Sequence, residues 1–146
     1  MSKPVKVTPL WPDSSLPFFV LKRRVLITGI HGQCGSTMAD LLLERGDCDI
    51  FGLERHSTAK VRENTRHLIG QPNVHFVTGD LSDQSSLLKC IDEVKPDWIF
   101  NFAANAFVAN SWTMPIEMAD ATGMGVLRLL EAVRQSGRKI QLIQSS

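Results

Sequence analysis

The chain has 146 residues, 43% of them hydrophobic and 21% charged, with a net charge of +1 at neutral pH. This length suits one globular domain with its own core, and neither the charge nor the few aromatic side chains suggest a nucleic-acid partner. No apolar run approaches the roughly 18 residues that a membrane span needs, so no membrane partner is expected.

The cysteines and histidines bear on compartment and metal binding. Three cysteines, at positions 34, 48 and 90, are widely spaced and form no C-x-x-C pair. This usage is typical of a reducing compartment, so a cytoplasmic location is expected. The four histidines show no metal-ligand spacing, which argues against a zinc site.

Residues 1–21 differ in character from the rest of the chain. They contain four prolines and no periodic apolar pattern. Because proline interrupts helices and central strands, this segment is predicted to be an irregular N-terminal extension. The domain proper is predicted to occupy residues 22–146.

In the domain, short apolar runs alternate with segments of helical periodicity. The predicted strands are "RVLITG", "DIFGLE", "NVHFVTGD", "DWIFNFA" and "KIQLIQ". The predicted helices are "QCGSTMADLLLERG", "KVRENTRHLIG", "SDQSSLLKCIDEVK" and "PIEMADATGMGVLRLLEAVRQSG", the last with Val126, Leu129, Leu130 and Val133 inward. This alternation predicts a parallel sheet covered by helices on both faces. Right-handed crossovers favour the strand order 3-2-1-4-5 of a Rossmann-type doubly wound α/β fold.

The stretch "ITGIHGQCGS" places Gly29, Gly32 and Gly35 between the first predicted strand and the first predicted helix. A helix N-terminus at this edge of a parallel sheet favours a phosphate group. Gly29 would permit a tight turn, Gly32 the approach of a pyrophosphate, and Gly35 close helix packing. Glu54 follows 19 positions after Gly35, where the dinucleotide fold places its ribose-binding acid. The loop therefore predicts a dinucleotide site; the alternative is that the glycines serve only the turn and the packing.

The residues near the second and third strand ends leave the choice of dinucleotide open. Glu54 would accept hydrogen bonds from a ribose 2′-hydroxyl and repel a 2′-phosphate, which favours NAD. Arg55, assisted by Ser57 or His56, would pair with a 2′-phosphate, which favours NADP; the alternative is a solvated surface arginine. Asp80, in "GDL", would either accept from the adenine amino group or cap a turn.

Several stretches resemble one protein family: "LITGIHGQCGS", "LLLERG", "GDLSD", "VKPDWIFNFAA", "VANSWTMP" and "GVLRLLEAVR". They are similar to the N-terminal part of the extended short-chain dehydrogenases/reductases, and most closely to the GDP-mannose 4,6-dehydratase branch, over residues 24–146. The resemblance implies a lyase that oxidises a nucleotide sugar at C4, removes water across C5 and C6, and returns the hydride to C6. It also implies a nicotinamide cofactor, usually NADP. A nucleotide-sugar epimerase or reductase of the same extended family is the alternative.

The glycine loop and the resemblance together predict a set of cofactor contacts. These are Gly29, His31, Gly32, Gln33, Cys34, Gly35, Glu54, Arg55, Ser57, Asp80, Leu81, Ala103 and Ala104. Two departures stand against the branch pattern. Glu54 occupies a position that is commonly basic, which weakens the case for NADP. Residues 105–108 read Asn-Ala-Phe-Val instead of Gln-Ser-His-Val, so a hydroxyl and an imidazole that would meet the substrate are replaced, and Phe107 is expected to be a core residue.

The family's catalytic pair is a Tyr-x-x-x-Lys beyond the fifth strand, and this sequence contains no tyrosine. Ser146 aligns at or next to the family's catalytic serine or threonine, so no catalytic residue is assigned. Three hypotheses follow: the truncated NAD(P)-binding domain of a dehydratase, without its C-terminal substrate region and inactive alone; a dinucleotide-binding sensor or partner subunit; or a scaffold without ligand. An uncovered sheet edge and apolar faces predict self-association, so a homo-oligomer is among the expected partners.

Overall fold

A computed structural model describes residues 22–55, 63–104 and 112–145, so the predicted N-terminal extension lies outside the described residues. Five strands are present there: β1 (Arg23–Thr28), β2 (Cys48–Glu54), β3 (Val74–Thr78), β4 (Trp98–Asn101) and β5 (Gln141–Gln144). All neighbouring strands pair in parallel, in the order β3-β2-β1-β4-β5. The predicted strand order is confirmed.

The helices of the described ranges are α1 (Gln33–Arg45), α2 (Gln84–Val94), α3 (Pro115–Ala119) and α4 (Gly125–Gln135). A π-helical turn, Asp120–Met124, joins α3 to α4 where a continuous α-helix was expected. The sequence of this joint, "DATGMG", carries two glycines and therefore favours a regular α-helix only weakly. None of the helices in these ranges is long and apolar enough to cross a membrane.

A short 3₁₀ helix, Glu63–Leu68, lies within "KVRENTRHLIG", where a helix is predicted. Its end is closed by a hydrogen bond across three residues: the Ile69 N–H donates to the Arg66 carbonyl at 3.3 Å. Gly70 then adopts a φ of +86° and turns the chain toward β3. The predicted helix is therefore present over residues 63–68, as a 3₁₀ helix, and residues 60–62 of the predicted segment lie outside the described residues.

The sheet is covered on both faces because successive strand residues point to opposite sides. On β1, Val25 and Ile27 pack into a cluster with α1 and the 3₁₀ helix, whereas Leu26 packs with α2 and α4. The predicted helix cover on both faces is confirmed. One inward assignment is wrong: Leu130 is 46% exposed. Leu129 and Ala132 are fully buried and define the inner face of α4, so Leu130 falls outside it.

Candidate functional site

The loop between β1 and α1 is a tight turn that only glycine fits at its start. Gly29 has a φ of +67°, and a Cβ there would lie 2.8 Å from the Ala103 backbone nitrogen. The Gly32 N–H donates to the Gly29 carbonyl at 2.9 Å, which closes the turn. The loop therefore lies directly against the chain that follows β4.

The other two glycines of the loop differ in what surrounds them. A Cβ on Gly35 would lie 2.3 Å from the Gly29 carbonyl oxygen and 2.7 Å from the Ile30 Cα, so Gly35 lets α1 pack on the loop. A Cβ on Gly32 would meet only the Gly29 oxygen, at 3.2 Å. Gly32 is exposed and is the N-cap of α1, whose first turn carries no acidic residue. The N-terminus of α1 is therefore accessible. It suits an anion, because the first N–H groups of a helix have no acceptor within the helix and the helix dipole is positive at this end.

A cavity of about 350 Å³ opens over this turn at the carboxyl edge of the sheet. Apart from Leu53 within β2 and Ala121 in the π-helical turn, its lining residues come directly after β1, β2, β3 and β4, because the carboxyl ends of parallel strands meet at one edge. They are Gly29, His31, Gly32, Leu53, Arg55, Gly79, Asp80, Leu81, Phe102, Ala103, Ala104 and Ala121. The cavity therefore lies at the carboxyl end of β1, between β2 and β4, where the strand order changes direction.

Most of the predicted cofactor contacts line this cavity, and some do not. The lining includes the predicted residues Gly29, His31, Gly32, Arg55, Asp80, Leu81, Ala103 and Ala104. The predicted residues outside the lining are Gln33, Cys34, Gly35 and Glu54. Ser57, Ser146 and residues 105–108 lie outside the described residues. The sequence reasoning missed four lining residues, Leu53, Gly79, Phe102 and Ala121. Gly79 belongs to the stretch "GDL", and the other three are apolar or small and carry no motif of their own.

Asp80 lines the cavity and also shapes the turn after β3. Its Oδ1 accepts from the Ser82 N–H at 2.9 Å and from the Ser82 hydroxyl at 2.8 Å. Its own N–H donates to the Ser86 hydroxyl oxygen at 3.0 Å. The turn-capping role that the sequence left open is therefore present, in a residue that also faces the cavity.

Leu81, the next residue of this wall, is tied to the helix that packs behind it. The Arg128 guanidinium donates to the Leu81 carbonyl at 3.4 Å and to the Asp120 carboxylate at 2.7 Å. The hydrogen bond from Arg128 holds the pKa of the Asp120 carboxyl below its usual value. Ala121, beside Asp120, completes this side of the cavity.

A buried polar network holds the opposite wall. Thr28 and Asn101 are fully buried at the ends of adjacent strands, and the Thr28 hydroxyl donates to the Asn101 side-chain oxygen. The Ala103 N–H donates to the Thr28 hydroxyl at 3.2 Å, and the Asn101 amide donates to Gln144 Oε1 at 2.6 Å. This network places Ala103 at the edge of the cavity.

Glu54 ends β2 as predicted, but its side chain is only 12% exposed and contacts protein groups. His31 Nε2 lies 3.1 Å from Glu54 Oε2, and His31 Nδ1 lies 2.7 Å from the Thr65 hydroxyl. The imidazole also stacks on Phe76, with ring centroids 5.7 Å apart. No sequence motif signals this contact between the glycine loop, β2 and the 3₁₀ helix.

Comparison with known proteins assigns the family. A profile of the GDP-mannose 4,6-dehydratase family matches residues 26–146. The chain belongs to this family. It is 41% identical to the GDP-mannose 4,6-dehydratase of Yersinia enterocolitica, covering 85% of this chain and 35% of that protein. It is also 41% identical to the human GDP-mannose 4,6-dehydratase, covering 77% of this chain and 32% of that protein.

The chain thus spans about a third of the length of these relatives, and it is similar to their N-terminal NAD(P)-binding region. Solved structures confirm the Rossmann-type fold of the extended short-chain dehydrogenases/reductases. A UDP-glucose 4-epimerase from Thermotoga maritima, solved with UDP-glucose, matches with a TM-score of 0.70 at 31% identity, over 84% of this chain and 37% of that one. A UDP-glucose 4-epimerase from Thermus thermophilus, solved with NAD, matches with a TM-score of 0.66 at 35% identity, over 78% and 34%.

Proposed function

We propose that this chain binds NADP as the cofactor-binding part of a GDP-mannose 4,6-dehydratase, a lyase of nucleotide-sugar metabolism in the cytoplasm. The observation that carries the proposal is the cavity over the N-terminus of α1, where Gly32 presents backbone and no side chain. A pyrophosphate at this position would accept hydrogen bonds from the first N–H groups of α1. Membership of the dehydratase family supports the same assignment.

The two walls of the cavity suit the adenosine half of the cofactor. Asp80 and Leu81 stand on the β3 side, and the small side chains of Ala103 and Ala104 stand on the β4 side. Small residues leave room for a ribose and a purine, and a carboxylate accepts from an exocyclic amino group. We therefore assign these four residues to adenosine binding.

Arg55 favours NADP over NAD as the preferred cofactor. It lines the cavity directly after β2, where the ribose of a dinucleotide lies, whereas Glu54 does not line it. A guanidinium recognises a phosphate through two parallel hydrogen bonds, an interaction that a ribose hydroxyl cannot reproduce. NAD remains the second candidate, and Ser57 stays a predicted contribution to phosphate binding.

A bound nicotinamide cofactor supplies the acceptance and return of a hydride, and the protein supplies its binding and orientation. The chain provides the binding groups just described. Because it contains no tyrosine, it cannot supply the tyrosine of the family's Tyr-x-x-x-Lys pair. We therefore expect the 146-residue chain to bind cofactor without converting GDP-mannose.

Calorimetric titration of the purified chain tests the proposal. Saturable heat is expected with NADP, weaker binding with NAD, and none with the variant Gly32→Val, whose side chain would occupy the pyrophosphate position. Gly123→Ala is the matched control, because a Cβ there meets nothing within 4 Å. Absence of heat with both cofactors at millimolar concentration would overturn the proposal.

A nucleotide-sugar epimerase is the second candidate, favoured by the likeness to two solved UDP-glucose 4-epimerases. Saturation-transfer NMR of the chain with NADP present distinguishes the two candidates. Contact with UDP-glucose but not GDP-mannose would favour the epimerase, and contact with GDP-mannose alone would favour the dehydratase. Any contact is expected to be weak, because the chain spans about a third of the length of its relatives.

We also propose that the chain forms a homo-oligomer. Ile116 is 80% exposed and Leu127 is 56% exposed on α3 and α4, and apolar surface of this kind favours association. Sedimentation at micromolar concentration is expected to give a species larger than the monomer, and a purely monomeric protein would contradict the proposal.

A further inference from the structure

A histidine of the glycine loop contacts the acid at the end of β2. We infer that His31 and Thr65 hold Glu54 away from the cofactor ribose, so that the site accepts a 2′-phosphate although an acid occupies the position that normally selects NAD. This inference rests on the proposed cofactor binding and adds a specificity-determining role for His31.

The contact geometry supports a fixed orientation of all three side chains. His31 Nε2 lies 3.1 Å from Glu54 Oε2, and the two side chains are only 13% and 12% exposed. Thr65, which is fully buried, holds the other ring nitrogen at 2.7 Å. The loop is anchored a second time, because the Asn64 side-chain amide donates to the His31 carbonyl at 3.0 Å.

The hydrogen-bonding roles follow from the chemistry of the partners. An ionised carboxylate can only accept, so His31 Nε2 must carry the proton that it shares with Glu54. In the neutral ring, Nδ1 then accepts from the Thr65 hydroxyl, which fixes the tautomer. The imidazole N–H thus occupies Glu54 Oε2, an acceptor that a ribose hydroxyl would otherwise use.

The consequence for the cavity is a change in which side chain meets the ribose. Arg55 and His31 line the cavity and Glu54 does not. A carboxylate turned toward the ribose would bind a 2′-hydroxyl and repel a 2′-phosphate. Because His31 holds it, Glu54 neither binds a 2′-hydroxyl nor repels a 2′-phosphate. Arg55 then sets the preference between NADP and NAD.

The test measures the dissociation constants of NADP and NAD by calorimetry for the wild type, His31→Ala, Glu54→Gln and the double variant. His31→Ala is expected to release Glu54 and to shift the NADP-to-NAD affinity ratio about tenfold or more toward NAD, the scale of a charge-assisted hydrogen bond. In the presence of His31, Glu54→Gln should change the NADP-to-NAD affinity ratio less than about twofold. In the double variant, it should return the ratio to the wild-type value. His67→Ala is the control: it removes a histidine from the 3₁₀ helix that carries Thr65, paired with Asp40 at 2.6 Å outside the cavity lining, and should leave the ratio unchanged.

Each outcome has one reading. If neither cofactor binds the wild type, the proposed function fails. If both bind and His31→Ala leaves their ratio unchanged, the role of His31 is refuted while cofactor binding stands. Should His31→Ala fail to fold, Glu54→Gln alone decides: a tenfold shift toward NADP would mean that Glu54 already faces the ribose, and a shift below about twofold supports its retention by His31.

Discussion

Replacing Gly35 with alanine is expected to destabilise the fold, because the new methyl group has no space between α1 and the glycine loop. Its Cβ would lie 2.3 Å from the Gly29 carbonyl oxygen and 2.7 Å from the Ile30 Cα, and both are backbone atoms. Relief requires α1 to move by about 1 Å, and overpacking of this kind costs roughly 2–3 kcal/mol. The lower entropy of the unfolded alanine chain offsets about 0.4–1 kcal/mol of this cost. The net loss in the free energy of unfolding is therefore about 1–2.5 kcal/mol.

Urea denaturation followed by circular dichroism measures this loss, and thermal unfolding should show a decrease of about 2–10 °C in Tm. Gly123→Ala is the control for the glycine-to-alanine change itself, because nothing lies within 4 Å of its Cβ. It should leave the free energy of unfolding unchanged or raise it by up to about 1 kcal/mol. If Gly35→Ala were as stable as the wild type, α1 would not pack on the loop as closely as described.

Two further predictions concern the thiols and the buried polar network. Only Cys34 is expected to react with a thiol reagent at neutral pH in the folded protein, because it is exposed, whereas burial raises the pKa of Cys48 and of Cys90 to about 12. One thiol should be counted before denaturation and three after it, and a second fast thiol in the native protein would contradict the burial. Thr28→Val should cost about 1–3 kcal/mol in the free energy of unfolding, because it leaves buried partners such as Asn101 without their hydroxyl. Thr28→Ser keeps the hydroxyl, loses the methyl group and is the control; a Thr28→Val variant as stable as the wild type would show that the partners do not depend on the hydroxyl.

The strand–helix alternation was readable from local patterns, and so was the place of the glycine loop. Apolar runs closed by glycine and helical spacing in the segments between them are properties of neighbouring residues, which tertiary contacts seldom reverse when they agree. The differences from the predicted elements fall where the local signal is weak. The π-helical turn Asp120–Met124 contains glycine, which favours a regular α-helix only weakly. Over Glu63–Leu68 the local pattern predicts a helix but does not distinguish 3₁₀ from α bonding.

The candidate site shows the same division. The spacing of Gly29, Gly32 and Gly35 predicted a turn at a helix N-terminus, because backbone conformation and helix start are encoded locally. The position of Glu54 at the end of β2 was likewise predicted, but its direction was not. That direction depends on His31, which lies 23 positions away in sequence and meets Glu54 only when the sheet forms. Thr65, 11 positions away, acts through its contact with His31. A side chain with several allowed rotamers takes the one that its spatial neighbours stabilise, so only the tertiary structure decides whether this acid faces a ribose or an imidazole.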